Sequence, residues 1–318
     1  MTLVRDITID LDPRPKLTRL TRGQYDAFHR DGFLFVPQLF DAVELAPLQR
    51  LISDEPLIRH TMTKVLDSDG NPVDLFGWSG TTNNILGAYV RIARLVRMSQ
   101  DLFDGDEIYH WHSKLSIKWP NSPGRWDWHQ DYGFWYYDGC LWPDMLTVMV
   151  ALDFNTRKNG CVEFLRGSHK MGRVDHGSIG QAVGAKTEIV ERASQKMQRV
   201  YCELEPGDAV FFHSNTLHAS GPNNTDSPRT PLHVSYNTVQ NRPWRPLMAH
   251  PFEPLEVLPD EALRAGAAKL TIDSERFAAF HAAREREREK TGDTFGYRAL
   301  FKKLEATSAT HPGGNTAS

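Results

Sequence analysis

Between residues 107 and 240 the apolar and β-branched residues come in short runs, each closed by a cluster of turn formers. The runs IYHWHSKLSIKW, MLTVMVALDF, CVEFL, KMQRVYCEL, DAVFFHS and LHVSYNTV alternate with NSPG, TRKNG, RGSHKMG, LEPGD and ASGPNNTDSPR. Runs of this length, rich in Val, Ile, Tyr, Phe and Trp and bounded by Gly, Pro and Asn, form strands. With no helix of comparable length between them, the strands pair antiparallel and close into a sandwich or barrel. That pattern sets the fold class as mainly β with helical flanks.

The flanks read differently. From Thr18 the text places a short helix capped by Thr21 and closed by Gly32, then a strand through Phe33 and Phe35, then a second helix over 41–53. Residues 54–84 are rich in Asp, Gly, Asn, Pro and Ser and read as a lid loop. Helical spacing returns over 85–104, with Arg91, Arg94 and Arg97 on what reads as a solvated face. After 241 prolines crowd, then 259–267 and 273–290 look helical, and the small polar tail 307–318 reads as disordered. The expected plan is one catalytic domain over 1–318. It has a helical N-terminal part over 18–106, a β core over 107–240 and a helical C-terminal extension over 241–306.

Composition narrows the function classes. The chain of 318 residues carries 37 basic and 40 acidic residues, for a net charge of −3, with no long block of one sign. A surface that tracks nucleic-acid phosphates is not expected. The first residues, MTLVRDITIDLDPRPKL, hold charges where a signal peptide needs an apolar stretch, and nowhere do ~18 apolar residues run together. No membrane partner is expected. Three cysteines at wide spacing, Cys140, Cys161 and Cys202, match neither a disulfide framework nor a zinc site, so a reduced, cytoplasmic chain is expected.

The unusual item is 13 histidines. His29, His60, His250, His281 and His311 sit among polar helix or loop residues and read as ordinary. His110, His112, His129, His169, His176, His213, His218 and His233 fall inside the β region. In the passage Trp126 to Trp135, His129 and Asp131 lie two apart and would share one face of a strand. An imidazole and a carboxylate side by side supply two ligands of a 2-His-1-carboxylate triad, which leaves metal positions open for a cosubstrate and oxygen. The third ligand is His218, after the run Asp208 to His213, with His213 as its rival. Arg229, eleven residues beyond His218, offers a planar fork of donors for a carboxylate beside the metal, and His213 lacks that matching spacing.

Taken together, His129-x-Asp131, His218 and Arg229 resemble the iron and 2-oxoglutarate signature of the phytanoyl-CoA dioxygenase family. Asn159-Gly160-Cys161 with Gly167-Ser168-His169-Lys170 is similar to a further family passage. So are Pro206-Gly207-Asp208, His218-x-Ser220-Gly221-x-Asn223-x-Thr225 and the entry text Gly32 to Pro37. The likeness covers roughly residues 18–240, nearest in motif to the ectoine hydroxylase-like bacterial members. It implies a double-stranded β-helix, a jelly-roll of cupin type, holding Fe(II) on His129, Asp131 and His218. It also implies 2-oxoglutarate and O2 as cosubstrates, bound with Arg229, Ser220 and Lys118, and oxidative decarboxylation to succinate and CO2 coupled to hydroxylation of a C–H bond. Asp131 speaks against halogenation, because halogenating relatives carry Gly or Ala there.

For the substrate, Trp135 stands at the offset from the first ligand where ectoine hydroxylase has a pocket Trp, and His112 stands where that enzyme has a substrate-contacting Gln. If the strand pleat continued, Gly133 and Trp135 would share the metal-facing side, with Gly133 leaving room near the iron. An aromatic wall suits an ammonium group. Arg242, with Trp244 and Arg245, could hold a substrate carboxylate or phosphonate, or form a solvated basic loop. The expected substrate is a small polar, amino-acid-like or ammonium-bearing metabolite. The alternatives are a larger natural product, for which the lid would give room, and a metal-binding barrel without turnover. A homodimer through the C-terminal helices stays open.

Overall fold

The computed structural model describes residues 16–54, 56–82, 84–244, 252–264 and 297–309. In chain order the helices are α1 (Arg22–Asp31), α2 (Ala42–Asp54), α3 (Pro56–Thr61), α4 (Ile85–Arg91), α5 (Ala93–Leu102), α6 (Tyr132–Trp135), α7 (Thr187–Lys196) and α8 (Tyr297–Ala309). The strands are β1 (Phe33–Val36), β2 (Thr63–Leu66), β3 (Pro72–Trp78), β4 (Ile108–Ile117), β5 (Trp126–His129), β6 (Met145–Ala151) and β7 (Val162–Leu165), followed by β8 (His176–Ile179), β9 (Ala182–Ala185), β10 (Arg199–Tyr201), β11 (Ala209–His213), β12 (His218–Ser220) and β13 (Pro231–Thr238).

Seven strands form one antiparallel sheet in the order β1-β11-β6-β13-β4-β3-β2, and four form a second in the order β10-β7-β12-β5. Alternation sorts the first sheet's side chains between two cores. Leu146, Val148, Phe211, Leu232, Val234 and Tyr236 face the helical layer, where they meet Leu48, Leu86, Tyr89 and Leu95 of α2, α4 and α5. Met149, Ala151, Val210 and Phe212 face the second sheet and meet Val162 and Phe164 of β7. The fully buried Leu, Val, Met and Phe side chains among these each contribute roughly 1.5–3 kcal/mol, so both faces of the sheet stabilise the fold. In the second sheet, the C-terminal end of β5 lies beside the start of β12.

The entry unit forms as the sequence predicts. Thr21 and Gln24 make a reciprocal capping box, and Gly32 closes α1 in the left-handed conformation at φ +87°. The N-terminal segment is fastened by Asp101 of α5, whose buried carboxylate accepts the backbone N–H groups of Thr18, Arg19 and Leu20 at 2.7–3.0 Å. Asp101→Ala strands three donors at once. It should destabilise the fold by on the order of 3 kcal/mol, read as a lowered Tm. An unchanged melting curve would show that this anchor contributes nothing.

Several sequence expectations are corrected. Residues 54–84 are not a lid: they hold α3, β2 and β3, and β3 pairs with β4 to extend the main sheet. The polar cluster Asp67 to Asn71 is the turn of the β2–β3 hairpin, with the Asp67 carboxylate accepting the N–H groups of Asp69 and Asn71. Arg91 and Arg94 are not solvated: Arg91 is buried and donates to the Gly87 and Thr82 carbonyls, and Arg94 pairs with buried Glu44. Only Arg97 is exposed. Within the β region the chain inserts the ten-residue α7 between β9 and β10, where no helix of comparable length was expected.

At the C-terminal end, the described part of 259–267 contains one 3-10 turn, Asp260–Leu263, in place of the expected helix, while 273–290 lies outside the described residues. The expected tail from Thr307 begins inside α8, and 310–318 lies outside the described residues. Among the described residues no helix is long and apolar enough to cross a membrane.

Candidate metal and cosubstrate site

His129 is the last residue of β5 and His218 the first of β12, and the two face each other as direct partners across the antiparallel pair. Asp131 follows two residues later, where the backbone has left the strand for a helical conformation, φ −57° and ψ −41°. The result is convergence. One oxygen of Asp131, Oδ1, lies 3.9 Å from Nε2 of His129 and 3.9 Å from Nε2 of His218, and the three ligand atoms lie within 4.8 Å of one another. All three residues are buried.

The surrounding hydrogen bonds fix which atoms face inward. Nδ1 of His129 lies 2.7 Å from the Asp127 carbonyl and Nδ1 of His218 lies 2.9 Å from the Thr216 carbonyl. A carbonyl only accepts, so each Nδ1 carries the proton and each Nε2 presents a lone pair. Thr147 of β6 donates to the other Asp131 oxygen at 2.9 Å, and its hydroxyl meets that of Ser235 at 2.9 Å. Burial holds the His129 imidazole well below the usual histidine range and lowers that of His218 too, so both are neutral near pH 7. For Asp131 burial alone would favour the acid, but the Lys114 charge, with the Thr147 hydrogen bond, outweighs it and keeps the carboxyl below its ordinary value. Two lone pairs and a carboxylate aimed at one point, with no proton among them, repel each other unless a cation sits between. The donor set fits Fe(II) on one face with open positions opposite.

Partners one step removed orient a ligand and commonly affect metal affinity ~10–100-fold. Thr147→Val keeps the shape and removes the hydroxyl. Iron affinity, measured by titration, should fall by a factor in that range. A variant with unchanged affinity would assign the Thr147 contact to packing alone.

Beside the ligands opens a pocket with an empty volume of about 320 Å3, walled by Lys114, Ser116, Trp126, Val162, Arg229 and His233, together with His129, His218, Ala219 and Ser220. Arg229 is 1% exposed, its Nη1 donates to the Gly160 carbonyl at 2.6 Å, and its Nε has no partner. Burial lowers the guanidinium to about 10, still charged at neutral pH, with Asp153 opposing the shift. Gly160 permits this seat: it has φ +73°, and a Cβ there would meet the Gly221 carbonyl at 2.1 Å.

The other expected site residues are placed unevenly. Ser220 lines the pocket, and its hydroxyl accepts from Lys118 Nζ at 2.8 Å. Lys118 itself is fully buried, with its ammonium on Ser220 and the Gly221 carbonyl, and its backbone bridges to Arg229. Burial pushes its pKa well down, with Arg229 adding to the shift. It braces the Ser220 end of β12, opposite the end that carries His218, and it is not part of the pocket wall.

The strand pleat does not continue past Asp131: Tyr132 to Trp135 form α6. Gly133 leaves room for the His176 ring, which a Cβ would approach to 2.2 Å. Trp135 is buried edge-on against Trp111 at 6.3 Å and His112 at 5.5 Å. Arg242 is exposed, with its guanidinium over Phe252 at 4.7 Å and Nε donating to the Val239 carbonyl, and Arg245 lies outside the described residues. His213 is no ligand: its Nδ1 accepts from Asn215 N–H, and its ring packs against Phe28 and His169.

Sequence reasoning missed Lys114, Ser116, Trp126, Val162 and Thr147, and it left His233 without a role. The available signal was alternation. His112, Lys114 and Ser116 share one face of β4, and His233 and Ser235 share one face of β13.

Comparison with known proteins agrees with this chemistry. The family described as phytanoyl-CoA dioxygenase (PhyH) matches residues 28–230. An L-proline trans-4-hydroxylase from Streptomyces griseoviridis is 27% identical over 244 residues, covering 71% of this chain and 88% of that protein. An ectoine dioxygenase from Streptomyces avermitilis is 29% identical over 247 residues, covering 72% and 83%. In fold, the chain is similar to the crystal structure of EctD from S. alaskensis with 2-oxoglutarate and 5-hydroxyectoine, with a TM-score of 0.64 at 24% identity, over 82% of this chain and 94% of that one. With the match spanning 28–230 and the two histidines and the aspartate converging inside it, the chain belongs to the phytanoyl-CoA dioxygenase (PhyH) family, as an iron- and 2-oxoglutarate-dependent hydroxylase.

Proposed function

We propose that the protein hydroxylates an unactivated C–H bond of a small polar, amino-acid-like metabolite in the cytoplasm, consuming one 2-oxoglutarate and one O2 and releasing succinate and CO2. The observation that carries this reading is the shared pocket. His129 and His218 line the same cavity as Arg229, whose buried Nε has no partner, as a dicarboxylate spanning metal and guanidinium requires. The named activities of the proline and ectoine enzymes, both on small zwitterions, support the substrate class.

Iron held by the triad supplies the oxidising chemistry, and the chain supplies geometry and exclusion of water. Thr147 and the two carbonyl-anchored imidazoles hold the ligands in one orientation. Arg229 and Ser220 receive the far carboxylate of the cosubstrate, with Lys118 bracing Ser220 from behind. On the substrate side, the edge-to-face pair of His112 and Trp135, with His112 two residues before Lys114 on β4, offers an aromatic contact to an ammonium group. Arg242, stacked on Phe252, has no part in this reading.

The test is succinate formation by the iron-loaded enzyme across a panel of free amino acids, cyclic imino acids and ectoine-like zwitterions. At least one should raise succinate severalfold above the substrate-free rate and gain one oxygen atom by mass. A panel in which no compound stimulates turnover, while larger apolar natural products do, would overturn the substrate class.

A further inference from the structure

β4 and β13 lie side by side, and their register sets opposed residues across the inner face: His112 with Ser235, Lys114 with His233, and, just beyond the strands, Lys118 with Arg229. The first pair marks the metal end, because the Ser235 hydroxyl meets Thr147, which holds Asp131. The last marks the guanidinium end. Lys114 and His233 stand between them, and both line the pocket.

Neither residue is satisfied by the protein. His233 is 7% exposed, and its Nδ1 has no hydrogen-bond partner. The half-buried Lys114 ammonium has no ion pair or hydrogen bond among the described residues and rests 5.6 Å from the centre of the Trp126 ring. Arg229 Nε on the same wall is likewise without a partner. A buried donor left unpaired costs ~1–3 kcal/mol, and native proteins leave few of them. Two orphaned buried nitrogens and an unpaired cation around one cavity describe a socket for an acceptor-rich anion.

We propose that Lys114 and His233 form a second carboxylate-binding element, which receives the metal-proximal carboxylate of a 2-oxo acid while Arg229 receives the distal one. This rests on the cosubstrate assigned above. Register places Lys114, the residue that carries the ammonium charge, next to the metal-end pair His112–Ser235, on the metal side of Arg229. His233, as its Nδ1–H tautomer, adds a directed donor to that charge. The pocket then discriminates by charge at both ends, and each end can be tested with a different ligand.

The experiment is anaerobic calorimetry on the Fe(II)-loaded protein with 2-oxoglutarate, and with pyruvate, which keeps the oxo-acid end and lacks the distal carboxylate. Lys114→Met and His233→Phe should each weaken both ligands by about tenfold, the scale of one hydrogen bond to a charged group. Arg229→Gln should weaken 2-oxoglutarate and leave pyruvate unchanged. Lys114→Arg should recover most of the lost affinity, which a merely structural role for the position would not give. Iron affinity and Tm, measured alongside, separate a damaged metal site or fold from a lost ligand contact. Unchanged pyruvate binding in both Lys114→Met and His233→Phe, or weakening that only tracks loss of iron, overturns the proposal. If the native protein binds iron but no 2-oxoglutarate, the cosubstrate assignment itself fails.

Discussion

Asp131→Ala is expected to cut iron-dependent succinate formation by well over ~100-fold, beyond the ~10–100-fold typical of losing an outer partner. The reason lies in how the three ligands are seated. Asp131 supplies the only negative charge of the triad, and Oδ1 is the atom shared by both imidazoles at 3.9 Å. Without it two neutral nitrogens remain, held by β5 and β12, with nothing to offset the cost of drawing a divalent cation out of water. The Thr147 hydroxyl loses its acceptor as well, leaving the buried Thr147–Ser235 pair without an anion to serve. Iron affinity and turnover should fall together. Asp131→Asn keeps the shape and a neutral oxygen, so it separates charge from geometry: it should retain the fold and lose most of the iron. An Asp131→Ala enzyme with native turnover would sink the triad.

How much of this was legible beforehand depended on how far apart the interacting residues lie in sequence. The β region announced itself through turn clusters, because Gly, Pro and Asn report local backbone geometry. The His129–Asp131 pair was legible for a similar reason, although the cause differs from the one expected. A continuing strand would have put Gly133 and Trp135 beside the metal, whereas Asp131 already has helical dihedrals and the chain winds into α6. Two-residue spacing tells strand from early helix poorly over so short a stretch.

The misread lid has the same origin. Asp67, Asp69, Gly70 and Asn71 are turn chemistry, and a tight hairpin turn carries the same letters as a long loop. What lay out of reach was register. Lys114 and His233 are 119 positions apart, and only the pairing of β4 with β13 makes them neighbours. Each is unremarkable in its own strand, so no local pattern could have joined them.

The second large effect belongs to Arg229. Arg229→Ala should raise the KM for 2-oxoglutarate by ~10–150-fold, the range that follows from losing a hydrogen bond to a charged group worth ~1.5–3 kcal/mol. The guanidinium is buried and pinned by its donation to the Gly160 carbonyl, so it reaches the ligand with little conformational freedom left to lose. That pinning is also the hazard. Removing the side chain leaves the Gly160 carbonyl and the Asp153 carboxylate without their neighbouring charge, and some stability should go with it. Arg229→Lys resolves the two effects, because it restores a cation and loses the planar fork. It should recover the fold while leaving 2-oxoglutarate binding well below native, since a single ammonium replaces a two-point contact. Iron affinity should be nearly unchanged in both variants, as Arg229 contacts none of the three ligands. If Arg229→Ala lost iron and 2-oxoglutarate in equal measure while its Tm held, the guanidinium would be serving the metal site, and the dicarboxylate reading of the pocket would have to be abandoned.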